Sequence, residues 1–138
     1  MWYFKMIRLD TYTLPRPFFN YNIPIAIQSS YLRDYAQKND YIFRLPVTEI
    51  VKKDCFYMFI KHFTKKKINL GLVSIFMLPI NNEKLFHYLL TKIHTKTNFH
   101  FVLENLILDK KKLILWREEY LPISMLPKCY DNFPSNFN

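Results

Sequence analysis

Between Ile7 and Leu108, short runs of β-branched and apolar residues alternate with longer segments whose apolar residues recur at helical spacing. Strands that alternate with amphipathic helices fold as α/β layers, because a sheet and a helix each bury one face against the other. Ile7–Thr13 predicts a first strand, and Leu14–Asn22, with Pro15 and Pro17, a loop. A helix is expected from Ile23 to Lys38, with Pro24 in the first turn, where its missing N–H costs nothing. Its apolar stripe is Ile27, Tyr31, Leu32, Tyr35 and Ala36. Tyr41–Leu45 reads as a second strand stopped by Pro46, and Cys55–Lys67 as a helix with Phe56, Phe59, Ile60 and Phe63 on one side. Asn69–Leu78 is a near-continuous apolar run, the pattern of a central strand covered on both faces. Asn81 or Asn82 is placed to cap a helix through about Lys96, with Leu85, Leu89 and Ile93 inward. Phe99–Leu103 and Leu106–Leu108 predict further strands, and Lys110–Tyr120 a last helix. The expectation is a three-layer sandwich around a mostly parallel sheet of roughly four or five strands, spanning residues 1–120. A proline-bearing tail, 121–138, is expected to be loosely ordered.

Composition narrows the function classes. With 138 residues, half of them hydrophobic, the chain can build a core, and disorder is not expected. The longest apolar run, Leu70–Ile80, is interrupted by Ser74 and Pro79 and is too short to span a bilayer as a helix. Met1–Asp10 lacks the apolar core and cleavage site of a signal peptide. A cytoplasmic protein without a transmembrane segment is expected, with the periphery of the inner membrane as the alternative. The net charge of +9 admits a polyanionic partner. It is equally the mark of a composition rich in Lys, Asn, Ile, Phe and Tyr. Fifteen lysines in scattered short clusters against five arginines favour that second reading, and nucleic acid is not the expected partner. Gly71 is the single glycine, which excludes a Walker A loop and a dinucleotide fingerprint, since both need several glycines beside phosphate. Cys55 and Cys129, far apart, read as unrelated reduced thiols.

In parallel sheets the ligand crevice lies beyond the C-terminal strand ends. That rule selects Arg16, Thr48, Glu49, Ser74, Met77, Glu104 and Asn105. Arg16 suits a phosphate or carboxylate clamp, or a solvated loop. Gln28 falls on the apolar face of the first helix, so it either bonds the backbone of the preceding loop or faces a ligand. Glu49 and Glu104 are candidates for general acid–base work, or for capping helices and pairing with lysine. Ser74 lacks a partnered base and reads as a core hydroxyl before a nucleophile. His87 and His94 share a solvated face with no further ligand, so no metal site and no cofactor are expected. The side of the last helix that carries Leu113, Trp116 and Tyr120 either folds onto its own sheet or pairs across a two-fold axis as a homodimer.

The run Tyr12-Thr13-Leu14-Pro15-Arg16-Pro17-Phe18, with Ile23-Pro24, Ile27-Gln28, Leu32-Arg33-Asp34-Tyr35, Leu45-Pro46 and Thr48-Glu49, resembles the sporadic carbohydrate cluster proteins. Ser74-Ile75-Phe76-Met77-Leu78-Pro79 and His100-Phe101-Val102-Leu103-Glu104 extend the resemblance to Leu108. The chain departs from that pattern at Pro15, where serine is expected, and at Thr11, where glycine is expected before Tyr12. The resemblance implies bacteria and a gene neighbourhood for surface polysaccharide synthesis, and it defines no activity. Joined to the residues selected above, it gives the expectation of a sugar-nucleotide or sugar-phosphate ligand at Arg16, Gln28, Thr48, Glu49, Ser74 and Glu104. The alternative is an accessory protein docking on a glycosyltransferase or membrane complex. The order of elements is also similar to serine recombinase catalytic domains and to flavodoxin-like folds. Leu14 and Arg16 stand where the recombinase arginine and nucleophilic serine would be, so strand exchange is not implied.

Overall fold

A computed structural model describes residues 6–124. The elements run β1 (Arg8–Thr13), α1 (Ile25–Lys38), β2 (Ile42–Phe43), β3 (Val47–Thr48), α2 (Tyr57–Phe63) and β4 (Asn69–Leu72). A single 3₁₀ turn (Ile75–Met77), α3 (Glu83–Lys92), β5 (Asn98–Phe101), β6 (Leu106–Asp109) and α4 (Lys110–Ser124) complete the order. They form an α/β structure with a mixed sheet in the order β2-β1-β4-β5-β6, β3 also pairing with β1. All pairings are parallel except β5–β6, whose short Val102–Asn105 connection leaves the chain no room for a crossover.

β2 and β3 are one strand broken at Arg44–Pro46. Proline cannot donate to a ladder, but it does not end this one, because the Glu49 N–H again donates to the Thr13 carbonyl. Leu9 of β1 lies against Leu32 of α1, and a Cβ on Gly71 would come within 3.2–3.3 Å of both side chains. The lone glycine thus lets α1 approach the sheet. On the other face Tyr12 meets the rings of Phe59 and Phe63 from α2 at 5.2 and 6.0 Å. Right-handed crossovers put α1 on one face and α2 and α3 on the other, since β1→β2 and β4→β5 step in opposite directions.

Several expected elements shift. The buried line of α1 is Gln28, Leu32 and Ala36, with Ile27 and Tyr31 exposed, so the inward face is turned by about one residue from the apolar stripe. The apolar run Asn69–Leu78 is not one strand. It leaves the sheet after Leu72, and Ser74 caps the 3₁₀ turn. α2 ends at Phe63, before the three lysines that follow Thr64, and α3 at Lys92. α4 continues four residues past Tyr120 with Pro122 inside it, so Leu121–Ser124 are helical and not tail. Residues 125–138, with Cys129, lie outside the described residues.

With so little glycine, left-handed backbone falls to other residues: Phe19, Asp40, Asp54 and Asn105 all have φ between 54° and 57°. Asp and Asn tolerate that region through local hydrogen bonding. Asp40 closes α1, its N–H reaching the Gln37 carbonyl while Tyr41 N–H reaches that of Ala36, the paired bonds of a Schellman end.

Candidate functional site

The loop after β1 is tied shut by one side chain. Gln28 is fully buried, accepts from the Leu14 N–H at 2.9 Å, and donates to the carbonyls of Leu14 and Ile23 at 2.7 and 2.8 Å. It pins both ends of the loop and points at backbone.

Arg16 in that loop reaches the loop after β3. Its Nη1 donates to the carbonyls of Ile50 and Lys52 at 3.3 and 3.1 Å, and its Nη2 to that of Cys55 at 3.1 Å. The guanidinium also lies over the Phe56 ring, 5.1 Å from its centroid. A guanidinium has five donors, so two N–H groups have no protein acceptor among the described residues.

Glu49, the first residue of the loop that Arg16 reaches, is buried. Its carboxylate accepts from the Tyr12 hydroxyl, from the Ile50 N–H, and from the Met58 and Phe59 N–H groups at 3.0 and 3.1 Å. Met58 and Phe59 are the second and third residues of α2, whose own cap position, Phe56, has no capping side chain. Glu49 supplies that cap from a distance, anion against helix N-terminus. Burial, and then the neighbouring Glu49, push the Tyr12 phenol far up, so it stays a donor. Thr48 is exposed, with its hydroxyl 2.9 Å from that of Thr13.

Ser74 and Glu104 form a separate group. The buried Ser74 hydroxyl donates to Glu104 Oε2 at 3.1 Å and accepts from the Phe76 N–H, while the Ile75 N–H donates to Glu104 Oε1. Burial raises the Glu104 pKa, and the two hydrogen bonds oppose that rise. Asn105 makes the adjoining turn, and Met77 is buried. No hydrogen bond or ion pair among the described residues joins this group to Arg16 and Glu49.

A cleft separates the two. It holds about 130 Å³ and is lined by Arg16, Phe18, Asp54, Phe56, Phe76 and Met77. Its walls are the loops after β1, β3 and β4, and β1 and β4 are neighbouring strands whose connections leave in opposite directions, which is the topological switch point of the sheet. Beside it lies an aromatic shelf that periodicity did not reveal. Phe18 and Tyr21 bridge across a two-residue turn whose first member, Phe19, has φ 54°. Phe19 stacks on Phe76 at 4.4 Å, and Phe76 meets the edge-on rings of Trp116 and Tyr120 at 6.0 and 5.4 Å. Trp116 and Tyr120, one turn apart, stack on each other, while Leu113 is wholly within the core. The Phe-Phe-Asn run was the available signal, since a turn between aromatic residues places rings on a rim.

Sequence reasoning also passed over His100. Its Nδ1 is 2.8 Å from the Tyr35 hydroxyl and its Nε2 is 3.1 Å from Asn69 Oδ1, which places the proton on Nε2. Burial holds its pKa down to about 4, so the imidazole is neutral. His87 sits 3.9 Å from Glu83 on exposed helix surface, and no metal-binding cluster of three or more side chains exists among the described residues. Among those residues no helix is long and apolar enough to cross a membrane, and Cys55 is a half-buried free thiol.

The fold and rim define an α/β protein with a small mixed aromatic and cationic cleft at its switch point. No family model, curated protein or solved structure matches the chain.

Proposed function

We propose that this is a cytoplasmic protein of bacterial surface-carbohydrate biosynthesis that binds a sugar nucleotide or another anionic sugar derivative at the switch-point cleft. The sequence resemblance over about Thr11 to Leu108 motivates the pathway. One observation carries the site. Arg16 is fixed by three carbonyl bonds over Phe56, with two N–H groups unused, next to the stacked rings of Phe19 and Phe76. A preset guanidinium takes a phosphate or carboxylate, and an aromatic face takes a sugar ring or base. The cleft of about 130 Å³ is below the usual ~300–1,000 Å³ of enclosed ligand sites, so it suits the anionic group while the remainder lies on the shelf. The finer fold reading, flavodoxin-like or serine-recombinase-like, draws support from the position of β1 between β2 and β4.

Of the residues expected at the site, Arg16 alone combines a place on the cleft wall with unused donors. Gln28, Glu49, Ser74 and Glu104 act on it by holding the loops that form it. Thermal unfolding of the intact chain against a panel of nucleotide-sugars and sugar phosphates tests the reading. Stabilisation that disappears in Arg16→Gln is expected, and no stabilisation by any member at millimolar concentration overturns it.

A second reading, an accessory protein docked on a glycosyltransferase or membrane complex, is favoured by the engagement of both rim carboxylates with backbone N–H groups. Co-purification from the native host separates the two.

A further inference from the structure

The opposite rim of the sheet carries a different chemistry. At the N-terminal ends of the parallel strands two clefts adjoin. One holds about 240 Å³ between Arg8, Arg44, His62 and Lys66, and the other about 630 Å³ beside Arg8, Lys66, Lys67 and Asn69. They share Arg8, Asp10, Lys66 and Ile68. The basic groups come from separate parts of the chain: β1, the break between β2 and β3, the last turn of α2, and the connection to β4. Among the described residues lining the two clefts, four permanent cations accompany a single carboxylate, Asp10.

That carboxylate does not neutralise them at contact. The one ion pair within 4.0 Å among the described residues is His87–Glu83, on α3. The C-terminal end of α2 favours cations through its dipole, but Arg8 on β1 and Arg44 in the break between β2 and β3 come from outside that helix. The backbone of Arg44 is held in place, with its side chain exposed. Its N–H donates to the Leu9 carbonyl at 3.2 Å, and its own carbonyl accepts from Thr11 Oγ1 at 2.7 Å. Convergent like charges oppose folding, and an anion relieves that repulsion. Two guanidinium forks beside ammonium groups match the oxygens of phosphate.

We infer that this rim is a binding site for a phosphate-bearing anion, distinct from the cleft around Arg16. The smaller cleft takes one phosphate group, and the larger gives room for a second or for its substituent. The same chemistry is supplied by a free pyrophosphate group or by the headgroups of an anionic bilayer.

The intact chain is titrated calorimetrically with inorganic pyrophosphate and, in parallel, sedimented with phosphatidylglycerol and phosphatidylcholine vesicles. Binding to pyrophosphate assigns a free ligand, and binding to phosphatidylglycerol vesicles alone assigns headgroups. Either upholds the site if Arg8→Gln/Arg44→Gln weakens it about tenfold or more. Lys66→Glu provides the same test should the double variant fold poorly. Lys84→Gln/Lys92→Gln removes equal charge from α3 and is expected to change affinity by less than about twofold. Failure of both probes overturns the inference, as does equal weakening by the α3 pair. Loss of pyrophosphate binding in Arg16→Gln with retention in Arg8→Gln/Arg44→Gln also overturns it, and assigns the anion to the switch-point cleft.

Discussion

The Tyr12 hydroxyl donates to Glu49 Oε1 at 3.0 Å, joining the middle of the sheet to the carboxylate that caps α2. Replacing Glu49 with Ala leaves that hydroxyl and the Met58 and Phe59 N–H groups unsatisfied in a buried place. A loss of about 2–4 kcal/mol is expected, combining a lost cap with buried unpaired donors. Glu49→Gln keeps one acceptor and is expected to cost roughly half as much. Urea denaturation of both variants checks this, and a loss of under about 0.5 kcal/mol for Glu49→Ala would show that water replaces the carboxylate.

Arg16→Lys separates shape from charge. An ammonium cannot reach three carbonyls and stack on Phe56 at once, so a destabilisation of about 1 kcal/mol is expected from the loosened loop. Affinity for the stabilising sugar phosphate is expected to fall about tenfold, because the fork that meets it is gone. Equal affinity in the two proteins would remove Arg16 from the site.

His100 imposes a pH dependence of definite sign. Its ordinary pKa is 6.5 and its folded value about 4, so the unfolded chain takes up the proton first as pH falls. Its contribution is whole above pH 6.5 and is lost between there and about 4. The total lost is ~3 kcal/mol. Glu104 acts in the opposite sense, because its raised pKa makes the folded chain hold its proton more tightly. Denaturation midpoints across this range are expected to flatten in His100→Gln and to fall more steeply with acid in Glu104→Gln. Parallel curves for His100→Gln and the parent would refute a neutral buried imidazole.

Asp40 has φ 57° at the closing turn of α1. Glycine adopts that backbone without steric cost but carries more entropy when unfolded, and the first effect prevails at a helix C-terminus. Asp40→Gly is therefore expected to stabilise the protein by about 0.5 kcal/mol, read as a small rise in urea midpoint at unchanged slope.

The alternation of strands and helices was legible from spacing alone, because period is fixed by which face is buried. What spacing missed was decided by polar contacts. Spacing did place Gln28 on the inner face of α1, but the choice between a ligand and the three backbone groups it bonds lay in the fold of the loop and in no hydrophobicity pattern. The apolar run from Asn69 could not announce its own end, because Ser74 turns it toward Glu104, about thirty residues away in the chain. Antiparallel β6 and the Phe19–Phe76 stack likewise depend on partners that no local window contains. Arg16, Glu49, Ser74 and Glu104 follow the strands in two separate groups, and the strand-end rule does not distinguish residues that face outward from those that hold the rim together.

The break at Arg44–Pro46 has a further effect at the margin of the sheet. The outer strand offers two ladders of two residues each, with a proline between them. A strand from another molecule would find partners in register for only a few ångströms before the backbone turned away. At that margin, though not at β6 on the far side of the sheet, a chain that is half hydrophobic offers no continuous template on which fibres grow.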